Sequence, residues 1–326
     1  MKREEAKFVL EKFASLNAHF DNRERLKKNP PLLAHYTSIE VLEKIIRDEE
    51  IWLSNPLYMN DLEEVRFGLI EGQNLFLTSQ LVSLAAGTAQ RTERLRDAFT
   101  HYYQMFDSEG ALDIYVFCLC EHARENNDGM LSMWRGYGGH GNGAALIFET
   151  AALPDPPAAP LYISRVRYGS RDDRLTFLNQ LLTEWSAIVR GLALADDALY
   201  LAAYAFFIIL KIFALTTKHD GFLEEMEWRV IYVPENDPNN LLQDRLSYSI
   251  GAQGVEPKLK FKIEAVKGFS ETELQLTDLL VRIILGPTVS SHPSVLATRR
   301  MLRSIGKSQY SDRVVASCIP LRPRGA

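Results

Sequence analysis

The stretch ALYLAAYAFFIILKIFALTT (198–217) constrains the fold of this chain more than any other. A helix that is apolar on every side must be surrounded, either by lipid or by the rest of the protein. Crossing a membrane takes about 20 predominantly apolar residues. Here Lys211 interrupts the run, and Tyr200 and Tyr204 sit inside it. The expected outcome is a buried core helix with no membrane partner. Two blocks, 62–108 and 171–217, read as helical with no strand pattern.

The remaining composition fits a globular chain. Of 326 residues, 46% are hydrophobic and 24% charged, which supplies a sizeable core without bulk disorder. The net charge of -5 does not favour nucleic acid as a general partner, although Arg165, Arg167, Arg171 and Arg174, or Arg299, Arg300 and Arg303, gather locally. Cys118, Cys120 and Cys318 form neither a C-x-x-C pair nor a Cys/His cluster, so no zinc or other metal is expected. Reduced thiols and the charged, amphipathic start MKREEAKFVLEKFASLN, which has no apolar signal core, point to a cytoplasmic protein.

Short strands alternate with helices along the chain. LLAHYTS (32–38), IWLS (51–54), DIYVFCLC (113–120), AALIFE (144–149), LYISRVRYG (161–169), EWRVIYV (227–233), KLKFKIE, VRIILGP and VVASCIPL read as strands. IEVLEKIIRD follows Ser38 as a capped amphipathic helix, and HPSVLATRRMLRSIG is a helix closed by Gly306. The fold class expected is α+β: a helical segment over 1–31, then a single domain over 32–326 with one mixed, split sheet. Helical insertions are expected at about 62–108 and 171–217, and PDPPAAP (154–160) reads as a turn or linker.

Four segments carry chemistry beyond what their setting needs. They are His35-Tyr36-Thr37-Ser38; Ser54-Asn55-Pro56 with Asn60-Asp61; Ser132-Met133-Trp134-Arg135-Gly136-Tyr137 and the glycines after it; and Glu225-Met226-Glu227 with Arg229. Each also has a plain reading. His35 alone is a core histidine with a satisfied backbone bond, Asn60-Asp61 an N-cap, WRGYGGHGNG a glycine loop anchored by an aromatic, and Glu225/Glu227 a solvated face paired with Arg229. The third segment offers glycines for close backbone approach, flat rings at Trp134 and Tyr137, and the Arg135 cation for phosphate. It is neither a P-loop nor a dinucleotide fingerprint, because a strand follows it. Two carboxylates at the start of a strand suit a metal or a sugar developing positive charge.

HYTS, IWLSNPLYMND, FCLCE, LSMWRGYG, GAALIFE, F-x-x-E-x-E-W-R and IILGP, in that order, resemble a bacterial domain-of-unknown-function family. That family is in turn similar to ADP-ribosyltransferases of the H-Y-E subgroup, such as the DNA-modifying toxin DarT. The resemblance implies a split sheet of the ADP-ribosyltransferase type and NAD as substrate. His35, Tyr36, Thr37, Asn60, Ser132, Trp134, Arg135 and Tyr137 would line the dinucleotide, with Tyr137 or Trp134 stacking nicotinamide. Glu227 would be the catalytic glutamate, on the same ribose as His35, and Glu225 its companion, directing the acceptor. Replacing Glu227 by Gln would then remove activity with little loss of fold. A toxin or phage-defence role is implied, with a nucleic-acid or protein acceptor and a neutralising or regulatory protein partner. The alternatives are a nucleotide-binding sensor module without chemistry, or a metal-dependent nuclease using Glu225, Glu227 and the Asp61 cluster.

Overall fold

The structure, a computed structural model, describes residues 3–59, 62–108, 110–153, 160–251, 254–264 and 274–321. In chain order the elements are α1 (Arg3–Glu11), α2 (Ala14–Asn17), α3 (Arg23–Lys28), β1 (Leu32–Thr37), α4 (Ile39–Asp48), β2 (Glu50–Ser54), α5 (Leu62–Thr78), α6 (Gln80–Ala86) and α7 (Ala89–Ser108). Then come β3 (Tyr115–His122), α8 (Leu131–Gly136), β4 (Ala144–Glu149), β5 (Leu161–Arg165), β6 (Arg167–Gly169), α9 (Arg171–Leu192), α10 (Leu199–Thr216) and β7 (Thr217–His219). The last are β8 (Glu227–Tyr232), β9 (Leu246–Gly251), β10 (Gly254–Lys262), α11 (Leu276–Leu279), β11 (Leu280–Leu285), α12 (His292–Ser304) and β12 (Val314–Ala316). The chain is mixed α+β, as expected. Most of the 154–160 turn and the Asn60-Asp61 pair lie outside the described residues.

The chain divides into two compact units. The first gathers residues 1–21, 56–114 and 164–223, and so contains both helical blocks. Its centre is α10, the body of the apolar 198–217 stretch, which is buried along nearly its whole length. Helix α10 is long and apolar enough to span a membrane, yet 83% of its most apolar window is buried in protein. Aromatic rings from four helices meet there. Phe76 of α5 stacks on Phe99 of α7 at 4.2 Å and lies 5.1 Å from Trp185 of α9 and 5.2 Å from Phe206 of α10. The Trp185 indole N–H donates to the Ala202 carbonyl at 2.8 Å, which keeps its one polar atom satisfied. Lys211, the charge that interrupts the apolar run, is buried with its ammonium facing the Phe106 and Phe207 rings at 5.6 and 5.4 Å. Cation–π attraction of this kind offsets part of the desolvation of a buried amine.

Helix α5 lies close against α10 because Gly68 and Gly72, four residues apart, share one helical face. A Cβ at Gly68 would stand 2.7 Å from the Ala214 Cα, a backbone atom that cannot step aside. Gly191, exposed near the end of α9, has open space on all sides: a Cβ there would have nothing within 4 Å. The two glycines should therefore respond in opposite ways to alanine. Gly68→Ala is expected to destabilise by roughly 1–3 kcal/mol through overpacking, and Gly191→Ala to stabilise by up to ~1 kcal/mol through helix propensity. Urea unfolding of both variants checks the pair.

The second unit gathers residues 22–55, 115–163 and 224–326. Its sheet runs β12-β11-β4-β1-β3-β2-β10-β9, with β8 on β3 and β5 on β8. The β11–β12 pair is parallel and the other registered pairs are antiparallel, so the sheet is mixed. It splits at β3. Along one edge β3 pairs with β8 from Tyr115↔Tyr232 to Cys120↔Glu227. Along the other edge, β1 takes only the far end (Leu32↔His122 to Ala34↔Cys120), and β2 meets the near end at Ser54↔Val116. Strands β1 and β2 thus diverge from a common neighbour.

Register fixes which side chains share a face, since alternate residues point to opposite sides. One face carries Leu33, Leu53, Tyr115, Phe117, Leu119, Trp228, Tyr232, Leu259 and Phe261, a continuous apolar cluster. The opposite face carries Ala34, Tyr36, Cys118, Cys120, Glu227 and Arg229, and further along Ser54 and Lys258. A sheet face with buried charges at its middle is where chemistry is to be sought.

Candidate functional site

The geometry separates the expected partners. His35 stands at the point where β1 leaves β3. Its Nδ1 lies 3.0 Å from the Cys118 carbonyl, which can only accept, so the proton sits on Nδ1. The ring stacks on Phe117 at 4.3 Å, on the apolar face. His35 pairs with Leu146 on β4, whereas Glu227 pairs with Cys120 and through it with Ala34. Odd residues of β1 and odd residues of β8 therefore point to opposite sides of the sheet. The expectation that His35 and Glu227 close on one ribose is corrected: His35 takes its plain reading, a core histidine whose backbone bond plugs the split. Thr37 is buried at the end of β1, on the same face as His35.

Tyr36 and Trp134 are also structural. Trp134 is wholly buried, its indole donating to the Asp128 carbonyl at 2.8 Å, so it offers no surface for stacking a nicotinamide. Tyr36 meets it edge-on at 4.7 Å, and the Tyr36 hydroxyl accepts from the Met130 N–H at 2.8 Å. Burial raises the Tyr36 phenol well above its ordinary range. That hydroxyl serves the residue that precedes α8, a helix without a side-chain cap of its own. Gly129 fits between the two rings with φ 75°; a Cβ there would stand 2.9 Å from the Tyr36 oxygen and 2.8 Å from the indole nitrogen. The glycines after Trp134 serve similar packing: a Cβ on Gly143 would strike the Thr37 carbonyl. The sequence suggested that they let backbone approach a ligand; at Gly143 the close neighbour is the chain itself.

This platform holds α8, where the sequence suggested a glycine loop. Ser132 is half-buried in its first turn, and Arg135 is exposed in its last. Arg135 has no ion-pair partner among the described residues. Tyr137 follows, exposed, with its phenol donating to Glu225 Oε1 at 2.9 Å.

The carboxylates occupy unequal positions. Glu227 is buried, and both its oxygens are held by Arg229, with Nε–Oε1 2.8 Å and Nη2–Oε2 2.9 Å. Glu227 and Arg229 lie two apart on one strand, hence on one face. The expected pairing with Arg229 is present, but not on a solvated face; both groups are buried instead. Between the glutamates Met226 adopts φ 42°, the left-handed region that a side chain other than glycine enters only under local strain. Its carbonyl accepts from the Glu121 N–H at 3.0 Å, extending the β3–β8 ladder by one bond. This kink leaves Glu225 half-buried beside Tyr137, while Glu227 lies in the sheet. Burial pushes the Cys120 thiol up to about 12, with Glu225, Glu227 and Glu121 adding to it, so Cys120 is no nucleophile. Residues that the sequence did not single out include Glu121, which accepts from the Trp228 indole at 2.9 Å and from Arg25 at 2.9 Å. Lys258 was also not singled out, and it donates to Ser54 Oγ at 2.9 Å beside Glu256.

Residues 133–230 match the family model described as "Protein of unknown function (DUF2971)". The expected resemblance to a domain-of-unknown-function family is therefore met, over a stretch running from Met133 past the glutamate pair to Val230. No curated protein and no solved structure matches the chain.

The burial of Glu227 and the partial burial of His35 have measurable consequences. Glu227→Gln leaves the Arg229 charge buried without its carboxylate, and a loss of about 3–5 kcal/mol is expected, against less than ~1 kcal/mol for Glu225→Gln at its half-exposed site. Replacing Glu227 and Arg229 together by Met should recover most of the loss, as denaturant midpoints would record. For His35, burial lowers the imidazole to about 4, against which its backbone bond works in the opposite direction. The unfolded chain protonates near the usual ~6.5. Below that value it takes up a proton that the folded protein refuses until about 4, so His35 removes stability as pH falls through this window. In NMR the His35 ring resonances should stay fixed from about pH 8 to 5, above the range where the lowered group titrates. Titration near the usual histidine value would contradict the burial.

Proposed function

We propose that the second unit binds a ribose-bearing dinucleotide, NAD, at the Tyr137–Glu225 pair and transfers its ADP-ribosyl group. The observation that carries this reading is a half-buried carboxylate, fixed by a phenol and set off from the sheet by the strained Met226. A carboxylate so placed can accept a bond from a ribose hydroxyl and stabilise positive charge that develops on the sugar. Breaking the bond from ribose to nicotinamide sends the electron pair out with nicotinamide. The acceptor's oxygen or nitrogen then bonds the anomeric carbon and gives up its proton. Tyr137, exposed, is the ring available to stack on nicotinamide, and Arg135 the cation available to the pyrophosphate. Glu225 takes the working role that the resemblance gave to Glu227. Glu227 becomes its anchor through Arg229.

A second reading has its own support. With Glu227 held by Arg229 and His35 turned to the other face, the unit keeps recognition groups while lacking two of the three residues that the transferase resemblance requires. That pattern suits a nucleotide-binding module without chemistry. The nuclease reading needs Asp61, which lies outside the described residues; among the described residues no three His, Cys, Asp or Glu side chains gather to hold a metal.

Calorimetric titration with NAD and assay of released nicotinamide separate the readings. Wild-type protein is expected to bind and cleave NAD, with turnover reduced ~10²-fold or more by Glu225→Gln and binding weakened by Tyr137→Phe. Binding without release selects the sensor module. Absence of binding overturns both.

A further inference from the structure

The sheet of the second unit ends in the edge strand β9. Strand β9, LSYSIG, is hydrogen-bonded to β10 on one side and to no described strand on the other. Exposed strand edges invite pairing with another chain, and proteins ordinarily blunt them with charge, proline, a bulge or shortness. Strand β9 carries no charged residue and no proline, and its register with β10 is unbroken from Leu246↔Leu259 to Gly251↔Gly254. By comparison, the edge strand β12 has only three residues, and β5 ends in Arg165.

Its side chains are also arranged symmetrically. Leu246, Tyr248 and Ile250 alternate with Ser247 and Ser249, so the order apolar-Ser-Tyr-Ser-apolar reads the same in both directions. Leu246 lies opposite Leu259, which is part of the core. The same face continues outward as Tyr248, Ile250 and Val255, which are 67, 86 and 57% exposed. Three large apolar side chains left open on one face of an uncharged edge mark a surface suited to being covered.

We infer that β9 pairs antiparallel with β9 of a second copy of this chain, across a two-fold axis through Tyr248. In that register Leu246 faces Ile250 of the second copy, Ser247 faces its Ser249, and Tyr248 faces itself. Antiparallel pairing of a strand with its own copy is isologous and closes at two subunits. It sets residues of like kind opposite one another, and on the axis, where Tyr248 meets its own copy, a charge would be repelled by its image; β9 carries no charge. Apolar residues fall opposite apolar ones, and the tyrosine rings stack across the axis. The result is a continuous sheet through both copies. An interface confined to one strand edge and its flanking side chains is smaller than the roughly 800 Å² per partner of standard complexes. Association is therefore expected to be weak, with a dissociation constant on the order of tens of micromolar.

The test is sedimentation equilibrium on the full chain, at concentrations up to roughly ten times that constant. Wild-type protein is expected to approach a dimer. Tyr248→Lys and Tyr248→Glu should each be monomeric, because like charges meet on the axis, while an equal mixture of the two should dimerise again. Thermal melts by circular dichroism should match wild type in both variants, since Tyr248 packs into no core. A wild-type monomer at the highest concentration overturns the inference, as does a dimer that persists in either single variant. A mixture that stays monomeric overturns the two-fold register, and with it the assignment of β9 as its own partner.

Discussion

The candidate site depends on an ion pair that has almost no access to water. Glu227 and Arg229 meet through two parallel hydrogen bonds inside the sheet of the second unit. Buried charges are tolerated only when geometry and hydrogen bonding offset their desolvation, and a bidentate carboxylate–guanidinium contact is the geometry that does so. Two residues of one strand can form it because they share a face. The pair anchors the start of β8, and the strain at Met226 is sustained there by the Met226 carbonyl's bond to Glu121. Glu225, one residue further out, is thereby held where it meets Tyr137 rather than continuing the strand.

The split at β3 is the second constraint. Where β1 parts from β3, a main-chain acceptor at Cys118 would otherwise be left to another donor, and the His35 imidazole satisfies it. A neutral ring stacked on Phe117 suits that position, since burial disfavours the charged form. The side chain that looks catalytic in sequence therefore closes the apolar face, while the carboxylates occupy the opposite one. The two faces differ in character: one is a continuous apolar cluster, and the other buries the Glu227–Arg229 pair beside a second apolar cluster that includes Ala34, Tyr36, Cys120 and Trp134.

Much of this organisation is legible from residues alone. The strands AALIFE and EWRVIYV, the capped helix after Ser38 and the burial of the 198–217 helix follow from local pattern, because each depends on periodicity and capping within one segment. The grouping of both helical blocks in one unit is not legible, since three separate stretches of chain compose it. The face on which His35 lies depends on register between β1, β3 and β8, a relation among distant residues that no single strand reveals. Trp134 looks available because tryptophan beside arginine and glycine suggests a ring at a surface; its indole is instead satisfied by a loop carbonyl six residues earlier in the chain. Met226 carries no signal of its left-handed backbone, as methionine is not a residue that favours it. Strand β9 is not among the strands expected from the sequence, although its apolar–serine alternation is the period-two pattern of a strand.

A structure of the protein soaked with NAD tests most directly whether the polar face is the working one. The ribose nearest nicotinamide should lie against the Glu225 carboxylate with the Tyr137 ring over the base, and the His35 imidazole should remain bonded to Cys118 away from the ligand. A ribose in contact with His35, on the Phe117 side of the sheet, would contradict the division of the two faces and the role given to Glu225.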